Sequence, residues 1–319
     1  FRLAGIVDVN PVNAEKAAAQ HQCPAFGGVA ELLAWSRATG TVIHAASVAV
    51  PTVHHRAVAE ALMAAGIDVL IEKPIAPCVE DARANVAAGK AHGRIVQVGH
   101  TERFNPAYRA LSKYRLRPAF IEVHRISPMT FRSIDIGVVL DMMIHDIDLV
   151  NHLVQAPVVD VKAVGVAVIA QYEDIANARL TFANGCVANL TASRLALRTE
   201  RKMRLFSPSA YVTVDYQKKA GAVITKTANQ DELARVRNEI KEGRITDLMQ
   251  LNYPELVKYE DLAVEETEPV RAELENFEQA IRTRTPPEVT GEDGLAAVDI
   301  AARIAACVAE HTWEGVTPP

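Results

Sequence analysis

From Val139 to Leu153 the chain reads VLDMMIHDIDLVNHL, and its apolar residues leave one narrow gap around a helical circumference. At about 3.6 residues per turn, Asp141, His145, Asp148 and His152 fall in that gap. Leu140, Met142, Met143, Ile147, Leu149, Val150 and Leu153 cover most of the rest. The spacing predicts a helix buried nearly all round, with one polar stripe. Asp146 lies off the stripe among apolar neighbours, where a hydrogen bond to backbone or to another domain is expected.

The first hundred residues alternate short apolar runs with helical stretches. Strands are predicted over 1–9, 45–50, 68–71 and 95–98, and helices over 13–20, 29–37, 53–65 and 79–91. That alternation predicts a parallel sheet with right-handed crossover helices. Beyond residue 99 the pattern changes. Alternating runs over 120–125, 160–170, 174–182, 187–194, 201–207 and 210–215 predict strands, and Asn184-Gly185 marks a two-residue hairpin turn. Residues 218–262 are less regular, and helices are predicted over 107–112, 270–283 and 292–312. The fold class is therefore α/β: a Rossmann-type domain over 1–99, then an α+β domain over 100–319 with a large open, mostly antiparallel sheet. An apolar sheet face left in water would be a sticky patch, so self-association as a homodimer or homotetramer is expected.

The composition excludes more than it identifies. Of 319 residues 49% are hydrophobic, ample for two cores, and the net charge of -5 with no basic block argues against nucleic-acid binding. Cys23, Cys78, Cys186 and Cys307 lack metal-ligand spacing and suit small packing residues in a reducing compartment, the cytoplasm. No signal peptide or membrane-length apolar run occurs, so no membrane partner is expected. Phe1 stands inside what reads as the second strand of a nucleotide-binding fold. No G-x-G-x-x-G occurs in the chain, and the first strand with its phosphate loop is expected ahead of Phe1.

Ligands of such sheets bind beyond the carboxyl ends of the strands. There the sequence places Asp8, then Pro51, Thr52 and His55 after a run containing Ser47, then Glu72 with Lys73, then Gly99 with His100. Asp8 suits the adenosine ribose hydroxyls, and its charge would repel a 2′-phosphate, which favours NAD over NADP. On the polar stripe, Asp141 four residues before His145 can hold the imidazole in one tautomer, as a general base requires. The alternative is a satisfied buried network. The spacing matches no zinc signature, and no metal is expected.

Glu72-Lys73-Pro74 after a buried strand, Gly99-His100 with Arg103 and Phe104, and Asp141-x-x-x-His145-x-x-Asp148 follow one another in order. With Pro51-Thr52-x-x-His55, Asn276-Phe277, Ala280-Ile281 and Gly291-Glu292-Asp293, they resemble the Gfo/Idh/MocA oxidoreductase family along essentially the whole chain. The resemblance implies a nicotinamide-binding Rossmann domain, a second domain with an open sheet, and a substrate between them. It implies catalytic roles for Lys73, His145 and Asp141, with Asp8, Ser47, Pro51, Thr52, His55, Glu72, Lys73 and His100 along the cofactor. Whether Lys73 or His145 is the base stays open. GHTERFNPA, HRISP and VVLDMMIHDIDL resemble the UDP-N-acetylglucosamine 3-dehydrogenases within the family. That implies oxidation of a secondary hydroxyl of a sugar or nucleotide sugar. Arg103, Arg125 and Arg132 would grip a diphosphate through charge-assisted forks, with Asn105 and Asp148 beside the substrate. A dehydrogenase of the same fold for a cyclitol or free sugar, or a silent NAD- or sugar-nucleotide-binding protein, are the alternatives.

Overall fold

A computed structural model describes residues 1–129, 136–247 and 256–311. The chain divides into two compact units: 1–101 with 269–302, and 102–268 with the remainder from 303. The sequence division at residue 99 assigned 269–302 to the second domain; these residues pack instead with the first. Among the described residues no helix is long and apolar enough to cross a membrane.

In the first unit, β1 (Ile6–Val7) pairs in parallel with β2 (Ala25–Phe26), joined by α1 (Pro11–His21). The strand expected over 1–9 is thus only two residues long, and β2 was not expected. After α2 (Val29–Thr39), a parallel three-stranded sheet runs β3 (Ala45–Val48), β4 (Asp68–Glu72), β5 (Val96–Gly99), with α3 (His55–Ala64) and α4 (Val79–His92) as crossovers. Val69, Leu70 and Ile71 are all buried, as a parallel strand covered on both faces requires. Asn10 caps α1 through its side chain, and left-handed Gly40 and Gly93 end α2 and α4.

The second unit begins with the short α5 (Pro106–Arg109) and β6 (Phe120–Ile126). A π-helical turn over Val139–Met143 leads into α6 (Ile144–Val154). Then come β7 (Val158–Val166), β8 (Ile175–Phe182), β9 (Val187–Ser193), β10 (Glu200–Phe206), β11 (Ala210–Asp215), β12 (Ala220–Lys226), α7 (Gln230–Lys241) and β13 (Val257–Asp261). The eight strands form one sheet in the order β13-β12-β11-β10-β6-β9-β8-β7, antiparallel except where β6 meets β9. The expected hairpin at Asn184-Gly185 joins β8 to β9, with Gly185 at φ +86°, a conformation that favours glycine. Strand alternation sorts the faces: Ile121 and Val123, Ala178 and Leu180, Ala188 and Leu190, Met203 and Leu205, Val212 and Val214 are buried on one side. Buried Ile147, Leu149 and Val150 show that α6 contributes to the core of this unit, where it packs on β6 and β9.

The chain ends with α8 (Pro269–Thr283) and α9 (Gly291–Glu310). Thr290 and Asp293 bond each other's backbone amides reciprocally at the start of α9. Here glycine permits a close approach: a Cβ at Gly294 would stand 2.7 Å from Val98 Cγ2.

Candidate active site

In the first unit the register Val48↔Ile71 and Glu72↔Gly99 brings the carboxyl ends of β3, β4 and β5 side by side. Thr52 opens a 3-10 turn over Thr52–His54 just after β3, Lys73 follows β4 directly, and His100 follows β5. Glu72 and Lys73 are half-buried, Ser47 and Pro51 are exposed, and Thr52 is half-buried. A Cβ at Gly99 would lie 3.0 Å from Glu72 Oε2, so the missing side chain makes room for that carboxylate. At the end of β1, Asp8 Oδ1 accepts the Asn10 amide at 2.8 Å, which leaves Oδ2 as an acceptor for a ligand.

Two residues expected along the cofactor, His55 and His100, are buried. His55 is 1% exposed, and both ring nitrogens face backbone carbonyls: Nδ1 lies 3.0 Å from Pro74 O and Nε2 2.9 Å from Val50 O. The ring thereby ties the exit of β3 to the segment that carries Lys73, an internal role. His100 is likewise buried.

In the second unit burial varies along the polar stripe. Asp148 takes the Arg103 guanidinium in a two-pronged pair, Nε to Oδ2 at 2.7 Å and Nη2 to Oδ1 at 2.8 Å, with both side chains buried. His152 Nδ1 lies 2.6 Å from the Tyr108 hydroxyl. Asp141, on the π turn, and His145, on the first turn of α6, are both half-buried, and His152 is exposed.

Asp146, left without a side-chain partner by the sequence, pairs with Arg125 of β6: Nε to Oδ2 at 2.9 Å and Nη2 to Oδ1 at 2.8 Å. Burial works against the Arg125 charge, but the facing Asp146 carboxylate more than offsets this and holds the guanidinium above its ordinary value. Glu102 Oε1 lies 3.6 Å from Arg125 and 3.5 Å from Arg201, extending the cluster. Asn105 caps α5 through Oδ1 and donates to Tyr216 O at 3.1 Å. The expected substrate ligands Arg103, Arg125, Asn105 and Asp148 are thus engaged within the chain, because a buried charge or amide must be paired. Arg132 lies outside the described residues.

The donor set fits a nicotinamide dinucleotide. A carboxylate at the end of β1 can accept from ribose hydroxyls, and the polar residues at the ends of β3 and β4 include one cation, Lys73. No group of His, Cys, Asp and Glu suited to a metal ion occurs among the described residues.

Comparison with known proteins agrees with this architecture. Residues 1–100 match the family model of the NAD-binding Rossmann fold of the GFO/IDH/MocA oxidoreductases, and residues 119–213 match the GFO/IDH/MocA C-terminal domain. The chain is 40% identical over 216 residues to a UDP-N-acetylglucosamine 3-dehydrogenase of Acidithiobacillus ferrooxidans, covering 67% of each protein. A solved structure of that enzyme superposes with a TM-score of 0.83 over 96% of this chain and 90% of the other, at 33% identity. An inositol 2-dehydrogenase of Acidothermus cellulolyticus is 38% identical over 126 residues, 36% of each chain.

Proposed function

The chain belongs to the Gfo/Idh/MocA oxidoreductase family, and from that membership we propose that it oxidises a secondary hydroxyl of a nucleotide sugar, C3 of UDP-N-acetylglucosamine, with NAD. The observation that carries the catalytic assignment is the placement of two half-buried ionisable side chains four residues apart, Asp141 on the π turn and His145 on the first turn of α6.

His145 takes the hydroxyl proton, and Asp141 orients its ring and stabilises the imidazolium that forms. Lys73 sets a positive charge by the developing alkoxide. A bound nicotinamide supplies the hydride acceptor. Exchange of proton roles between Lys73 and His145 would use the same groups. The free oxygen of Asp8 supports the preference for NAD, since a second negative charge at the ribose would be repelled. The likeness to the Acidithiobacillus ferrooxidans enzyme supports the substrate. The chain self-associates through the outer face of its eight-stranded sheet.

The test is NADH formation by the protein with NAD or NADP and UDP-N-acetylglucosamine, UDP-glucose or myo-inositol. Turnover with NAD and UDP-N-acetylglucosamine alone is expected. Lys73→Ala and His145→Asn should each lower kcat by about 100-fold or more, with NAD affinity and Tm nearly unchanged. Near-normal turnover in Lys73→Ala, or a large loss of Tm at full rate in His145→Asn, would overturn the assignment. Turnover with myo-inositol alone would move the substrate to the cyclitols.

A further inference from the structure

The segment bearing Asp141 and His145 starts without a cap of its own. Its N-cap position is Val138, whose apolar side chain cannot accept a hydrogen bond. The open donors are satisfied from the connection between β7 and β8. Glu173 Oε1 accepts the Val139 amide at 3.2 Å, and the Glu173 backbone carbonyl accepts the Val138 amide at 3.1 Å. One residue earlier, any Cβ at Gly137 would collide with the Glu173 carboxylate. The Gly137 carbonyl in turn accepts the Asp141 amide at 3.1 Å.

The connection that carries Glu173 is itself locked. Asp174 Oδ2 accepts the amides of Val168, Ile169 and Ala170 at 2.8, 2.6 and 3.1 Å. Its Oδ1 takes Arg194 Nε at 2.6 Å, and Arg194 Nη1 donates to Ile136 O at 2.8 Å. Glu173 is therefore held against the backbone of 137–139 by a neighbour with no slack, and Arg194 holds residue 136 from the other side.

We infer that Glu173 is a positioning residue for Asp141 and His145, a cap supplied across the fold that fixes where the π turn begins and so where both side chains point. The inference rests on the reading that these two side chains move the proton. Reaction geometry is steep in position: a misplacement of about 1 Å can cost on the order of 100-fold in rate.

Four variants test it: Glu173→Ala, Glu173→Gln, Gly137→Ala and His145→Asn. Hydrogen exchange at Val138, Val139 and Asp141 is followed beside kcat and KM with NAD and UDP-N-acetylglucosamine. Glu173→Ala should speed exchange at Val139, whose acceptor it removes, by about ten-fold or more and lower kcat by about ten-fold, with both KM values within about two-fold. Gly137→Ala should reproduce this by displacing the carboxylate. Glu173→Gln should restore exchange protection and rate, because its amide oxygen accepts the same bond. Unchanged exchange in Glu173→Ala would overturn the inference, as would full kcat beside a lowered Tm, or a Glu173→Gln variant as impaired as Glu173→Ala. The exchange arm decides without any substrate. Full kcat in His145→Asn would instead sink the reading on which the inference rests.

Discussion

A single carboxylate, that of Asp174, faces three backbone amides and one guanidinium, yet its side chain is fully buried. Burial alone would raise its pKa; the amides of Ile169, Val168 and Ala170 and the Arg194 contact outweigh that and hold it at about 2. The folded value lies below the ordinary 3.8, so the unfolded chain takes up the proton first as pH falls. The stabilisation is nearly complete above about pH 5 and is lost as pH falls towards about 2. Asp174→Asn should therefore lower Tm at neutral pH, and the gap to the parent protein should narrow between roughly pH 5 and pH 2.5. A gap constant across that range would mean the charge contributes nothing. At this scale the sequence shows which side chains need partners, not which partners they find. Arg103 meets Asp148 across 45 residues and Arg125 meets Asp146 across 21, so composition and spacing left the two arginines as candidates for a diphosphate. The His55 ring reads equally well as a ligand donor until Val50 and Pro74 are seen on either side of it.

Elements long enough to repeat their pattern were legible. The polar-striped helix, the crossover helices and the strands from β6 to β11 stand within a few residues of the expected positions, because alternation or a 3.6-residue period persists through each. The π turn over Val139–Met143 was not legible, and the side chain that accepts its first amide, Glu173, lies 34 residues away. The two-residue β2 is too short for any period, and β12 and β13 lie in a stretch whose apolar runs are broken by lysines and glycine. For α7 a signal existed: Asn229 and Glu232 form a capping box at its start. The outer face of the large sheet has an uneven character that the sequence did not reveal. One row across it runs Val187, Phe120, Phe206, Tyr211, Ile224 and Tyr259, with ring centroids 5.8 Å apart for Phe120–Phe206 and 4.8 Å for Phe206–Tyr211. The next row carries the Glu122–Arg204 ion pair and the Arg179–Asn189 hydrogen bond. Association through this face should therefore depend on the aromatic row. Sedimentation of the protein should show a species larger than 34.7 kDa, and Phe206→Asp should shift it towards that mass without loss of fold. A monomer at all concentrations, or an oligomer indifferent to Phe206→Asp, would move the interface elsewhere.

The molecule as a whole is organised by contacts that sequence order conceals. Strand-helix alternation stops near residue 99, which made that position the natural end of the first domain, yet α8 and the first part of α9 return to it. What draws them back is specific. Gln97 Nε2 donates to Glu273 O at 3.0 Å, Val98 N to Val289 O at 3.2 Å, and Arg284 Nη1 to Asp68 Oδ2 at 2.7 Å. Phe277, Val289, Val298 and Ile300 are buried with them. Each such side chain contributes about 1.5–3 kcal/mol when removed from water, so four of them together compare with the roughly 5–15 kcal/mol that separates a folded domain from its unfolded chain. Residues 1–101 should then be unable to hold the geometry of Asp8 and Lys73 alone. A chain ended at Glu268 is expected to lose NAD binding by calorimetry, with the sheet-rich circular dichroism of the second unit largely kept. A separate segment spanning 269–311, added to it, should restore part of the affinity. Full NAD affinity in the shortened chain would mean that the returning helices cover the nucleotide-binding unit without supporting it.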